Sequence, residues 1–274
     1  GVLPTFRLAK ILVGRRELRE VVEVLSDEQL MRYSRQILMP EFDIAGQERM
    51  RSGTVLVAGL GGLGSPVALY LAAAGVGRLL LADGDDVELS NLQRQIAHGE
   101  ADIGVNKAQS AAASVTALNS EVGVEVVAQQ LNPSNMSELV ERADVVVDAT
   151  DNYPARFALN RACIEAAVPL VSAAAVRGEG QLSVFDPVRG GPCYRCLYPV
   201  QGNDTALSCS ESGVLAPLVG VLGSLQAMET LKILSGYGEP LRSRLLLVDL
   251  HGVDIRTLEL PAWPECPDCG HLQT

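Results

Sequence analysis

Residues 55–65 read VLVAGLGGLGS, from Val55 to Ser65. The run Thr54–Ala58 is apolar without alternation, as expected for a strand covered on both faces of a parallel sheet. Small residues from Pro66 to Ala74 suit a helix, and between the two Gly59, Gly61 and Gly64 spell G-x-G-x-x-G. Glycines here permit a tight turn and let backbone approach a phosphate, and the helix start offers unpaired N–H groups to an anion. Asp83 closes the next apolar run, Leu79 to Asp83, at the place where an acid hydrogen-bonds ribose hydroxyls. The motif in this context predicts a nucleotide site and leaves the nucleotide open.

Outward from the loop, apolar runs at Glu125–Gln129 and Ala143–Ala149 read as further strands, with helical segments at Asn106–Leu118 and Ser134–Arg142 between them. Strand–helix alternation predicts an α/β fold, a right-handed, doubly wound, mostly parallel sheet with a Rossmann-like nucleotide-binding half. After Pro169 the stretches PLVSAAAVRGEGQLSVFD and RLLLVDLHGVDIRTLELP extend the sheet, partly antiparallel. Ser26-Asp-Glu-Gln29 has capping-box spacing and predicts one helix through about Ile37. Residues 1–25 form a basic-apolar leader of unassigned role, and 26–274 read as one domain with a C-terminal part tied by metal.

A net charge of −11 argues against a nucleic-acid or anionic-membrane surface. The longest apolar stretch, Val214 to Leu234, carries Gln226, Glu229 and Lys232 and reads as a buried or interface helix rather than a membrane span. No secretion signal is evident in the leader, where charged residues interrupt the apolar ones. A cytoplasmic location is expected.

Cys193-Tyr-Arg-Cys196 and Cys266-Pro-Asp-Cys269 are two C-x-x-C pairs, the spacing of zinc knuckles. Four thiolates close a tetrahedral site, so the zinc is structural; disulfides are the alternative, disfavoured where thiols stay reduced. Cys163 lies in a helical stretch and reads as a small buried hydrophobe. Cys209 lies in the polar loop NDTALSCSESGV, where a reactive thiol and a passive loop residue are both open.

RYSRQILMPEF, GLGGLGSPVALYLAAAGVG, LSNLQRQ, DATDN, GPCYRCL and GVLGSLQAMETLKIL occur in that order. Together they resemble the MoeB/ThiF family, bacterial relatives of ubiquitin-activating enzymes, over about Leu30 to Gly270, with the cysteine motifs nearest to its MoeB and MoeZ-like branch. The resemblance implies Mg-ATP-dependent adenylation of the C-terminal Gly-Gly carboxylate of a ubiquitin-like sulfur carrier. By the same resemblance the nucleotide meets Gly59, Gly61, Gly62 and Gly64, and Asp83 holds the ribose. Asn91, Arg94 and Lys107 reach the phosphates, and Asp151 ligates magnesium, a hard oxygen for a hard cation.

Arg35 matches an arginine supplied across a homodimer interface to the partner's ATP, where a planar guanidinium suits phosphate. Cys209 aligns with a cysteine that some members use to take the activated carrier, or sulfur, into covalent linkage. MoeZ-like relatives often add a rhodanese domain, which implies here a separate sulfur donor, a rhodanese or a cysteine desulfurase. Three other readings compete: an ATP-dependent tRNA-modifying dehydratase of the same superfamily, a silent carrier-binding scaffold, and a nicotinamide dehydrogenase. The paired C-x-x-C motifs disfavour the first, retention of Arg35, Arg94, Lys107 and Asp151 the second, and LSNLQRQ with DATDN the third.

Overall fold

The structure, a computed structural model, describes residues 25–199 and 213–272. In chain order the elements are α1 (Asp27–Arg32), α2 (Ser34–Ile37), α3 (Asp43–Ser52), β1 (Thr54–Ala58), α4 (Gly64–Ala74), β2 (Arg78–Ala82), α5 (Lys107–Leu118), β3 (Gly123–Val127) and α6 (Pro133–Glu141). There follow β4 (Val145–Asp148), α7 (Tyr153–Ala166), β5 (Leu170–Val176), β6 (Glu179–Phe185), α8 (Tyr194–Leu197), α9 (Ala216–Ser235), β7 (Arg244–Asp249) and β8 (Asp254–Glu259). One sheet runs β3-β2-β1-β4-β5-β6-β7-β8. Its first five strands pair in parallel, and β6, β7 and β8 join antiparallel. The sheet expected from the alternation of runs is thus present, and so is its antiparallel extension.

Two apolar layers cover the parallel half. Val55, Val57, Leu79, Leu81, Val145 and Val147 point into one layer with α4 and α9, while Leu56, Leu80 and Val146 point into the other with α6 and α7. This two-sided burial explains why β1 reads as a continuous apolar run. Helix α9 is long and apolar enough to span a membrane by length and composition. Here Leu218, Val219, Leu222 and Ala227 are buried in the first layer, and Gln226 donates to the Asp148 and Val171 carbonyls at 2.8 and 3.2 Å.

The expected helix from Ser26 to Ile37 is two helices, broken at Tyr33. Ser26 does cap α1 in a capping box. Tyr33 then turns inward, 3% exposed, accepts from Asn119 Nδ2 at 2.9 Å and donates to Glu121 at 3.3 Å. Its ring lies where a Cβ on Gly75 would stand, 2.5 Å from the ring carbon, so the tyrosine's seat depends on that glycine. The third strand also starts two residues before the expected position, because Gly123 pairs with Arg78 in register with β2.

Candidate functional site

The order β3-β2-β1-β4-β5 reverses direction between β1 and β4, and ligands of such sheets bind beyond the carboxyl ends of the strands at that switch. The loop after β1 and the helix start of α4 lie there. Gly59 has φ +91°, and a Cβ on it would stand 2.8 Å from the Ala149 carbonyl oxygen. A Cβ on Gly64 would stand 1.9 Å from the Gly59 carbonyl oxygen, so these two glycines are demanded by the turn itself. Gly61 is different: a Cβ there would meet one neighbour, Gln95 Nε2, at an ordinary 3.5 Å. Its surface is open, which is what close approach of a ligand needs. No side chain caps α4; the Ser65 N–H donates to the Gly61 carbonyl at 3.0 Å and position 66 is proline, which leaves the Gly64 N–H of the first turn for an anion.

Asp83 follows β2 beside this loop. It accepts the Leu60 N–H at 2.7 Å and the Asp85 N–H at 2.9 Å, one on each carboxylate oxygen. Each oxygen keeps a second lone pair for a hydroxyl donor. Burial pushes Asp83 above the ordinary carboxylate range, against the pull of those two N–H groups. Lys107 opens α5 under the N-cap Asn106, is nearly buried, and pairs with Asp85 at 3.0 Å. Gln130 holds the other Asp85 oxygen at 2.7 Å.

The segment LSNLQRQ forms a short 3₁₀ turn over Leu89–Asn91. Asn91 is buried and accepts the Glu88 N–H at 3.2 Å, which gives it a local structural task. Arg94 donates to the Ser90 carbonyl at 3.0 Å and is partly exposed. In DATDN the two acids separate. Asp148 is fully buried, accepting from Thr150 N–H and O–H at 3.0 and 2.6 Å and from Ser172 at 2.7 Å. Asp151 is exposed at the mouth, with a 3.4 Å contact from Asn152.

Arg35 is not brought to this chain's own loop. It sits exposed on α2, whose Gln36 donates to the Ala74 carbonyl at the far end of α4. Eleven helical residues place that end about 16 Å from the glycine loop. Cys209 and the leader residues 1–24 lie outside the described residues.

Sequence reasoning passed over several residues that shape this site. His98 is buried, bonded to the Leu60 carbonyl at 3.0 Å and to Ser110 at 2.8 Å, and so ties the glycine loop to α5. A neutral ring satisfies both partners, Nε2 donating to the carbonyl and Nδ1 accepting from the hydroxyl. Burial lowers its pKa from the usual histidine value. Asp85 and Arg156, which donates to the Thr150 carbonyl, act likewise on Lys107 and on the Asp151 loop. A lone histidine or aspartate carries no spacing signal that would have singled it out.

The four cysteines of the C-x-x-C pairs come together, all Sγ atoms within 4.8 Å of one another. Cys193–Cys196 is 3.9 Å, and Cys193–Cys266 and Cys196–Cys269 are each 3.6 Å. A tetrahedron of Zn–S bonds of about 2.3 Å has sulfur–sulfur edges of about 3.8 Å, whereas a disulfide needs about 2.05 Å. The donor set therefore fits a closed tetrahedral ion. Cys193 thiol donation and the Trp263 N–H at 3.4 Å hold the Cys196 thiol below its usual range, against the opposing effect of burial. Asn160 of α7 anchors both knuckles, donating to Asp268 at 3.1 Å and accepting the Tyr194 N–H at 2.8 Å. Arg195 spans them, paired with Asp268 at 2.9 Å over the Phe157 ring. Cys163 is buried, and burial raises its thiol pKa, as expected of a packing residue.

A profile of the ThiF family matches residues 33–268. The chain belongs to the ThiF family. It is 46% identical over 246 residues to molybdopterin-synthase adenylyltransferase of Escherichia coli, covering 90% of this chain and 98% of that protein. It is 47% identical over 278 residues to the adenylyltransferase and sulfurtransferase MOCS3 of Sus scrofa, covering 98% of this chain and 61% of that one. This ThiF-family chain thus spans nearly all of the bacterial relative and about three fifths of the pig one. Among solved structures, Escherichia coli MccB with MccA-N7isoASN superposes with TM-score 0.79 at 25% identity, over 90% of this chain and 76% of that one. MccB with ATP gives TM-score 0.72 at 25% identity, over 83% and 70%.

Proposed function

We propose that this ThiF-family chain adenylates the C-terminal Gly-Gly carboxylate of a ubiquitin-like sulfur carrier with ATP, releasing pyrophosphate. The observation that carries this reading is the convergence of an open-faced glycine loop, Asp83 and Asp151 at the carboxyl ends of β1, β2 and β4. The adenylyltransferase names of its relatives support the same chemistry.

A carrier carboxylate oxygen attacks the α-phosphorus, forming one P–O bond while the bond to the β-phosphate breaks and pyrophosphate leaves with the charge. Little covalent work falls to the protein, whose task is positioning and cationic stabilisation. Backbone N–H groups after Gly59 hold phosphate oxygens, and the free lone pairs of Asp83 take ribose hydroxyls. Lys107 has three donors with one directed at Asp85, and Arg94 has five with one directed at the Ser90 carbonyl. The rest are available to phosphate oxygens as charge develops. Asp151 would hold magnesium, which would neutralise phosphate charge. Arg35, remote from its own loop, suits donation to the site of a second copy in a homodimer.

The four thiolates hold a structural zinc, and 26–274 act as one adenylation unit behind the leader. The carrier adenylate is then attacked at its acyl carbon by a sulfur nucleophile, the C–O bond to AMP breaking and AMP leaving; a cysteine desulfurase or rhodanese supplies the sulfur, with Cys209 as the candidate thiol on this chain. Neither nucleic acid nor membrane enters the scheme, and the setting is the cytoplasm. Mass spectrometry of intact carriers after incubation with the chain and ATP tests the reading. A carrier ending in Gly-Gly gains one AMP, which hydroxylamine then displaces to leave a C-terminal hydroxamate, and the same carrier without that terminus gains neither. Equal labelling of both, or of neither, contradicts it.

A further inference from the structure

Asp151 is exposed, and among the described residues its carboxylate takes one contact, from Asn152 at 3.4 Å. A side chain held so loosely is aimed by the backbone on either side of it. On the C-terminal side the Asn152 side chain accepts the Ala155 N–H at 2.9 Å and fixes the start of α7. On the N-terminal side stands Thr150, where two buried charges meet one residue.

Asp148 is 0% exposed and Arg156 of α7 is 7% exposed. One Asp148 oxygen accepts the Thr150 N–H at 3.0 Å and its hydroxyl at 2.6 Å, while Arg156 donates to the Thr150 carbonyl. The anion thus takes the N–H end of Thr150 and the cation takes its C=O end. Each charge has a brace of its own. Ser172 donates to the other Asp148 oxygen at 2.7 Å, and the Tyr194 hydroxyl bonds the Arg156 guanidinium. Tyr194 follows Cys193 and is itself seated on α7, its N–H on Asn160 at 2.8 Å and its ring 5.2 Å from that of Phe157.

For the fold alone this arrangement is a poor choice. Taking two charges out of water is costly, and apolar residues of similar volume often stabilise as well or better. What the charges supply and apolar groups do not is direction. The carbonyl that Arg156 holds is bonded to the Asp151 nitrogen, so it sets the peptide plane from which Asp151 departs.

We propose that Asp148 and Arg156 form a buried clamp on Thr150 that aims the Asp151 carboxylate into the nucleotide site, with Tyr194 holding Arg156 from the cysteine knuckle. All three are positioning residues. The inference rests on the proposed adenylation reading and adds to it the device that orients its exposed acid. Such support matters because a displacement of about 1 Å at a reacting group costs about a hundredfold in rate.

The test uses the full chain and two variants that stay close to the native volume. Arg156→Lys keeps the charge and loses the planar fork, and Tyr194→Phe removes the hydroxyl alone. The first readout is amide exchange without nucleotide, which accelerates at 149–152 in both variants while β1 and β2 keep native protection. The second is carrier-dependent exchange of pyrophosphate into ATP, resolved into kcat and KM. In Arg156→Lys kcat falls about tenfold to a hundredfold while KM for the carrier stays within about twofold of native, and Tyr194→Phe loses less in the same direction. The third combines each variant with Asp151→Asn. Because the clamp acts through Asp151, adding Arg156→Lys to Asp151→Asn lowers the residual rate no further.

Native kcat in Arg156→Lys overturns the proposal, even with a lowered melting temperature, since the clamp then serves the fold alone. So does a double variant in which the two losses multiply in full, because Arg156 then acts elsewhere. Where Arg156→Lys fails to fold, Tyr194→Phe takes its place and the same two results decide. Unchanged amide exchange at 149–152 in both variants also overturns it. A native chain that supports no pyrophosphate exchange with any carrier removes the adenylation reading, and the amide-exchange arm alone then decides whether the clamp exists.

Discussion

The two ends of the sheet are held by different physics. Strands β1, β2 and β4 are almost wholly buried, with Leu56, Leu80 and Val146 at 0% exposure, and two apolar layers close over them. At the other end β8 is exposed along its whole length, including Ile255 and Leu258. The segments after β6 and β8 are tied to α7 by particular contacts: the four cysteines, the Asn160 anchor and the Arg195–Asp268 pair over Phe157. Burial makes the nucleotide half stable and lets its loops keep unpaired groups, such as Gln95 Oε1 and the Gly64 N–H of α4. The thiolate segments, residues 193–197 and 263–270, rely in addition on bonds that a change of conditions can remove. Stability is therefore local, and each half fails under a different insult.

The largest expected effect separates chemistry from both kinds of scaffold. Asp151→Asn and Arg94→Ala each reduce carrier adenylation by a factor of about 100 or more, the scale of a lost electrostatic contact in a transition state. Both side chains reach the surface, so melting temperature and metal content stay at native values. Near-normal turnover in Asp151→Asn would remove the magnesium assignment. Next comes metal removal. Metal analysis should find about one zinc per chain, and a strong chelator should lower the melting temperature by roughly 10 °C or more, because binding energy at a structural site is folding energy. Amide exchange should accelerate first around 193–199 and 260–270, while β1 and β2 stay protected. Simultaneous loss of protection in both halves would show that they are not separate.

A paired truncation sharpens the contrast. Leu56→Ala leaves a cavity in a closed layer and destabilises by about 2–5 kcal/mol, whereas Leu258→Ala, on a strand 47% exposed at that residue, changes stability by about 0.5 kcal/mol. Chemical denaturation of both variants reads the difference, and similar values would dissolve it.

The smallest effect is a pH slope. Burial holds His98 below the usual histidine value; the Leu60 carbonyl, Asp102 and Asp83 act in the opposite sense, and Lys107 acts with burial. The unfolded chain then binds that proton more readily than the folded one. The contribution is complete above the ordinary pKa of about 6.5 and is lost as pH falls through the folded value. Burial raises Asp83, whose contribution runs the other way and is lost as pH rises through its own folded value. His98→Gln should therefore show a fall in melting temperature between pH 7 and 5 that is shallower than native by about 2 °C. An unchanged slope would mean that the histidine is not held neutral.

Much of the parallel half is legible in the sequence because its physics is periodic. A strand buried on both faces reads as Val-Leu-Val, and a phosphate turn reads as glycine at three fixed spacings. The cysteine pairs are legible for the same reason, since chelation fixes ligand spacing. What stayed hidden depends on contacts distant in sequence. The break at Tyr33 comes from a ring seated over Gly75 and from Asn119, which a helix pattern around residue 33 does not encode. His98 and Arg156 reach their partners through the fold, so their types alone say nothing. The motif DATDN contains two acids, and only the structure separates buried Asp148 from exposed Asp151. Gln95 lay in plain view at the end of LSNLQRQ, but its buried, unpaired Oε1 becomes visible only when every neighbouring donor is placed.

The central claim is tested most directly by exchange of labelled pyrophosphate into ATP, measured with the chain alone and with sulfur carriers ending in Gly-Gly from several pathways. Exchange that appears only when such a carrier is present, and vanishes when its terminal glycines are removed, is the predicted result. ATP that binds tightly while no carrier supports exchange would contradict the account.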